Sequence, residues 1–67
     1  MPIIEVTLVE GREPDRLRDL ITRLTDAAVE AVGAPRESVR VILREVPATH
    51  FAAGDETIAE RRSASAG

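Results

Sequence analysis

The sequence predicts an α+β chain built on a single β-α-β unit, and three observations carry that prediction. The segment PIIEVTLVE, from Pro2 to Glu10, alternates along a β-rich run. From Pro14 to Val32 the apolar residues recur at helical spacing. A second alternating run, SVRVILREV, spans Ser38 to Val46. The links are too short for anything but a direct crossover. The two strands should therefore lie parallel, with a right-handed connection.

In the first strand Ile4, Val6 and Leu8 share one face, and Ile3, Glu5, Thr7 and Val9 share the other. Gly11 breaks the strand. Pro14 suits a first helical turn, where its missing N–H costs nothing. Asp15 adds an acid there, which complements the helix dipole. The helical stripe consists of Leu17, Leu20, Ile21, Leu24, Ala27, Ala28 and Ala31. Arg16, Asp19, Arg23, Asp26 and Glu30 fall mainly off it. Asp19 and Arg23 are spaced for an i,i+4 ion pair. Gly33 is a natural helix stop, and Pro35 prevents resumption. In the second strand Val39, Val41 and Leu43 share a face opposite to Arg40, Ile42, Arg44 and Val46. Pro47 ends it. Beyond that the chain offers apolar spots only around Phe51 and Ile58. Residues 63–67 read as a disordered tail, which leaves residues 1–62 as one domain.

A chain of 67 residues buries only about 60% of its unfolded surface when it folds alone. Folds this small usually need a disulfide, a metal or a partner. There is no Cys and only one His, which removes disulfides and makes a structural zinc site a poor candidate. The helix can cover one face of the sheet. The other face still carries Ile3, Val9, Ile42 and Val46. Self-association is therefore expected. The net charge of -3 argues against nucleic acid or an anionic membrane as the partner. No run approaches the ~18 apolar residues of a membrane span. The N-terminus has no basic region, so a cytoplasmic protein is expected. All nine basic residues are Arg, a bias that fits a GC-rich bacterial genome.

The usual catalytic constellations are missing: there is no Cys, no His pair and no Gly-rich phosphate loop. His50 could serve as a base or be structural. The unusual feature is the opening dipeptide. Methionine before proline is normally trimmed, and trimming leaves a free secondary amine at the end of a strand. A free α-amino group titrates near pH ~8, close enough to neutrality to be tuned by burial and nearby cations. Pro2 could equally do no more than open an edge strand. Arg12 follows the strand, and Arg40 stands between Val39 and Val41. Arginines hold carboxylates through paired hydrogen bonds, so these two suit an oxo-acid or diacid. Surface or intersubunit ion pairs are the alternative. Phe51 could pack a hairpin or wall a ligand site.

The segments MPII, LVEGR, APRESVRVILREV and HFAAGDE, at these spacings, resemble the 4-oxalocrotonate tautomerase family, also called 2-hydroxymuconate tautomerase. The resemblance runs from Pro2 to about Glu56. It implies a β-α-β tautomerase fold with two parallel strands, one long helix and a C-terminal hairpin. It also implies a homohexamer, a trimer of dimers, whose sites combine residues of more than one subunit. It implies cofactor-free, metal-free enol–keto chemistry on 2-hydroxymuconate-like or other enolisable 2-oxo acids, in the setting of aromatic catabolism. Pro2 matches the family's general base. Arg12 matches the arginine that grips the far carboxylate. Arg40 matches the one that binds the carboxylate and oxygen at the keto end. Phe51 matches the aromatic that keeps the proline's surroundings apolar. Val9 joins the substrate-binding set at a position where dehalogenase relatives carry a second arginine. Ala53 stands where the tautomerase has a larger aliphatic residue and the dehalogenases a glutamate, and HFAAGDE lacks the extra hairpin glycines. Two other readings remain: a hydratase or dehalogenase of unsaturated acids, and a non-catalytic subunit of a mixed oligomer.

Overall fold

The computed structural model describes residues 1–65. Strand β1 (Ile3–Val9) leads into helix α1 (Pro14–Val32), which returns through a 3-10 turn at Arg36–Ser38 to strand β2 (Arg40–Val46). The strands are parallel and in register from Ile3 opposite Arg40 to Val9 opposite Val46. The expected β-α-β unit is therefore present. The second strand begins two residues later than the pattern suggested, because Arg36–Ser38 closes a 3-10 turn in which the Ser38 amide donates to the Pro35 carbonyl at 2.9 Å.

Helix α1 starts at the proline and ends at the glycine that the sequence marked. Pro14 occupies its first turn. Gly33 caps it with φ 68°, in the left-handed region, and its amide donates to the Val29 carbonyl at 3.0 Å. Asp19 and Arg23 form the expected ion pair at 2.8 Å. A second pair, Arg36 to Asp26 at 2.6 Å, ties the 3-10 turn back to the helix.

The sheet face carrying Ile4, Val6, Leu8, Val41 and Leu43 is half-buried beneath the helix, together with Leu17, Leu20, Ile21, Leu24 and Ala28. Ala27 and Ala31, which the helical spacing puts on that stripe, are exposed, while Thr25 and Val29 are half-buried. Helix α1 therefore seats on the sheet rotated toward its 25/29 side. On the opposite sheet face Ile3 is 56% and Ile42 41% exposed. Among the described residues no side chain of any kind is fully buried. The radius of gyration, 15.4 Å, exceeds the roughly 11 Å of a compact chain of this length.

Past β2 the chain makes a 3-10 turn at Ala48–His50 and a hairpin of strands β3 (Ala52–Ala53) and β4 (Glu56–Thr57). Gly54 (φ 60°) and Asp55 (φ 69°) form its two-residue turn. Both sit in the left-handed region, the geometry whose twist matches a hairpin. The C-terminal hairpin is thus present, without the extra glycines.

The tail is corrected in part. Helix α2 spans Ile58–Ser65, so residues 63–65 of the expected disordered stretch are helical. The cause is a capping box. The Thr57 hydroxyl accepts from the Glu60 amide at 3.0 Å, and the Glu60 carboxylate accepts from the Thr57 amide at 2.8 Å. Arg61 pairs with Glu56 at 3.1 Å across the junction. Residues 66 and 67, the rest of that stretch, lie outside the described residues. No helix among the described residues is long and apolar enough to cross a membrane.

Candidate active site

The parallel register decides which candidate residues can meet. Ile3 stands opposite Arg40, and the Arg40 amide donates to the Pro2 carbonyl at 3.0 Å. Pro2 and Arg40 therefore share one end of the sheet. Pro2 is half-buried, whereas Met1 before it is 77% exposed and open to processing. The Arg40 guanidinium donates to the Glu37 carbonyl at 3.0 Å. That carbonyl belongs to the 3-10 turn, so the turn holds the guanidinium at the strand's entry.

Val9 and Arg12 occupy the other end. The Arg12 guanidinium folds back and donates to the Val9 carbonyl at 2.9 Å. The Glu10 amide closes the sheet there on the Val46 carbonyl at 2.9 Å. Six residue steps along β1 separate the ends, roughly 20 Å at ~3.3 Å per residue. One chain does not bring Arg12 to its own Pro2. Phe51 follows β2 by five residues and is half-buried, and its carbonyl accepts from the Ile58 amide at 2.8 Å. It belongs to the C-terminal hairpin unit, which packs chiefly on itself. His50 is exposed in the preceding 3-10 turn, its amide on the Pro47 carbonyl.

The open groove beside Arg12 has a volume of about 390 Å³ and is lined by Arg12, Arg16, Leu17, Asp19, Leu20 and Arg23. Arg23 is matched there by Asp19 at 2.8 Å. Arg16 lies off the apolar stripe, so the helical pattern does not single it out. The available signal was its spacing, four residues after Arg12 and in the first turn of a helix that starts at Pro14.

The chain belongs to the tautomerase enzyme family, whose model matches residues 2–61. It is 61% identical over 51 residues to a probable tautomerase of Ralstonia nicotianae, covering 76% of this chain and 73% of that one. A probable tautomerase of Staphylococcus epidermidis is 43% identical over 54 residues, covering 81% and 88%. Among solved structures it is similar to TomN, a 4-oxalocrotonate tautomerase homologue in the tomaymycin biosynthetic pathway. The TM-score is 0.91 at 47% identity, over 92% of this chain and 95% of that one. It is also similar to a heterohexamer 4-oxalocrotonate tautomerase from Chloroflexus aurantiacus, with TM-score 0.87 and 37% identity, covering 90% and 97%.

Proposed function

We propose that the chain catalyses enol–keto tautomerisation of 2-hydroxymuconate-like or other enolisable 2-oxo acids, with the nitrogen of Pro2 as general base once Met1 is removed. The observation that carries this reading is the register that joins the Pro2 carbonyl to the Arg40 amide at 3.0 Å. It brings the backbones of Pro2 and Arg40 together at one sheet end, which supports a shared role for a potential free amine and a guanidinium. The amine takes the proton of the enol hydroxyl and returns it to a distant carbon of the conjugated system, so atoms and charge are conserved. Arg40 stabilises charge on the oxygen at the keto end, where it grows in the transition state. Arg12 holds the far carboxylate, and Phe51 and Val9 wall the site against water.

The sheet end that holds Pro2 lacks Arg12, so a complete site needs a second protomer. We take the assembly to be a homohexamer. The absence of any fully buried side chain among the described residues and the exposed Ile3 and Ile42 support an obligate assembly. A structurally similar tautomerase is itself a heterohexamer. A well-folded monomer at micromolar concentration in sedimentation would contradict this.

The chemical test compares two reactions with one enzyme stock. Ketonisation of 2-hydroxymuconate or phenylenolpyruvate is followed by the loss of enol absorbance, and hydrolysis of 3-chloroacrylate by chloride release. Hydrolysis needs a carboxylate to activate water and a further anion grip. Ala53 and Val9 provide neither. Ketonisation should be faster by far. Chloride release at equal or greater kcat/KM would replace the tautomerase reading with the hydratase one.

A further inference from the structure

Arg16 stands where a cation is electrostatically out of place. It lies in the first turn of α1, its amide on the Glu13 carbonyl at 3.0 Å. The helix dipole is positive there, so a carboxylate would be favoured and a guanidinium is not. Arg23 is matched by Asp19, Arg36 by Asp26 and Arg44 by Glu5, while Arg18 donates to the Thr22 hydroxyl and Arg40 to the Glu37 carbonyl. Arg16 has no carboxylate or hydrogen-bond partner among the described residues. Arg12, four residues earlier, has only the Val9 carbonyl among the described residues. Both line the groove whose apolar lining is Leu17 and Leu20 and whose one acid, Asp19, is engaged by Arg23. Two guanidiniums free of carboxylates, four residues apart in sequence and lining one groove beside an apolar floor, form an anion site with room for a hydrocarbon chain.

We propose that Arg16 is a specificity-determining residue: with Arg12 it clamps the distal carboxylate of a dicarboxylate substrate. The inference rests on the reading of Arg12 as a carboxylate grip. A single guanidinium would serve a carboxylate adequately. The second makes the site discriminate by charge, favouring acids with a carboxylate at each end over acids with one. Arg12 contributes the shared contact, and Arg16 adds to it only when that far carboxylate is present.

A matched pair of inert probes tests this. Muconate and sorbate share a six-carbon diene, but only muconate has the second carboxylate. Binding of each to the assembled, Met1-trimmed protein is measured by calorimetry for wild type, Arg16→Ala, Arg16→Gln and Arg12→Ala, with the oligomeric state checked by sedimentation. Arg16→Ala and Arg16→Gln should weaken muconate about three- to tenfold, as for a partly exposed charged contact. They should leave sorbate and the assembly unchanged. Undiminished muconate binding in both variants, while Arg12→Ala weakens it, overturns the role of Arg16 alone. Undiminished binding in Arg12→Ala as well, or no muconate binding by wild type, overturns the grip on which it rests. Dissociation of the oligomer, or equal weakening of both probes, would make Arg16 an interface residue and overturn the proposal too.

Discussion

On the proposed reading, the two ends of the β1–β2 sheet carry different halves of one chemistry. At the entry end Pro2 and Arg40 are joined through the backbone, and a 3-10 turn holds the guanidinium. At the exit end Arg12 lies against Val9 beside an Arg-rich groove, and the hairpin with Phe51 follows directly. A parallel pair cannot fold its ends together, since both chains run the same way for roughly 20 Å. On the proposed reading, the separation allots proton transfer and carboxylate binding to different protomers' copies of the sheet, so each end can be damaged separately.

The largest effect should come from the entry end. Protein that retains Met1 holds the Pro2 nitrogen as an amide with no basic lone pair. Its kcat/KM should fall by about 10²- to 10⁴-fold, the worth of a general base. Pro2→Ala leaves a primary amine and should lose less. Mass spectrometry establishes the N-terminus, and full activity with Met1 wholly retained ends the mechanism. Arg40→Ala comes next, with kcat and kcat/KM lowered together by about 10²-fold, because stabilising charge at the keto end matters most in the transition state. A change confined to KM would move Arg40 out of that role.

At the exit end Arg12→Ala should chiefly raise KM for dicarboxylates, by about tenfold, the loss of one charged hydrogen-bonding contact. The comparison sharpens when the two lesions are mixed. Oligomers reassembled from Met1-retaining and Arg12→Ala chains should recover activity at low substrate, because some sites then combine an intact amine with an intact Arg12. If the mixture shows only the average of its parents, both ends of a site belong to one chain.

The smallest effect concerns helix α2. Two hydrogen bonds from Thr57 hold the exposed Glu60 carboxyl below its ordinary value, the amide being the stronger cause and the hydroxyl the second. A lowered pKa in the folded state means the contribution is fully present above the unfolded value and is lost as pH falls through the folded one. Protection of the amides at the start of α2, relative to their intrinsic exchange rate, should therefore fall below the ordinary carboxylate range, with activity at neutral pH unaffected. Glu60→Ala should show the weak protection at every pH. Equal protection in the variant and wild type would remove the capping role.

The β-α-β unit was legible because each of its elements has a period and a stop: alternation to Glu10, a proline at the helix start, a glycine at its end. The burial of those faces was legible too, apart from the rotation that exposes Ala27 and Ala31. That rotation depends on how the helix sits across a twisted sheet, which no period records. Helix α2 carried a readable signal in Thr57-Ile58-Ala59-Glu60, a capping box, but its eight residues have too little apolar stripe to stand out. In the candidate site, residue types and family spacing pointed to Pro2, Arg12, Arg40, Phe51 and Val9. The split between sheet ends becomes visible only with the parallel register. Arg16 escaped notice because its oddity lies in a missing partner, and partners are a matter of three dimensions.

A protomer in which no described side chain is fully buried has a further consequence for its life in a cell. If its partners are copies of itself, folding is linked to association by mass action, and its melting temperature climbs with protein concentration. A newly made chain below that concentration is an open substrate for proteases, so scarcity itself clears it. Abundance then behaves as a threshold: slow synthesis yields almost no enzyme, and synthesis fast enough to fill the assembly protects every chain at once.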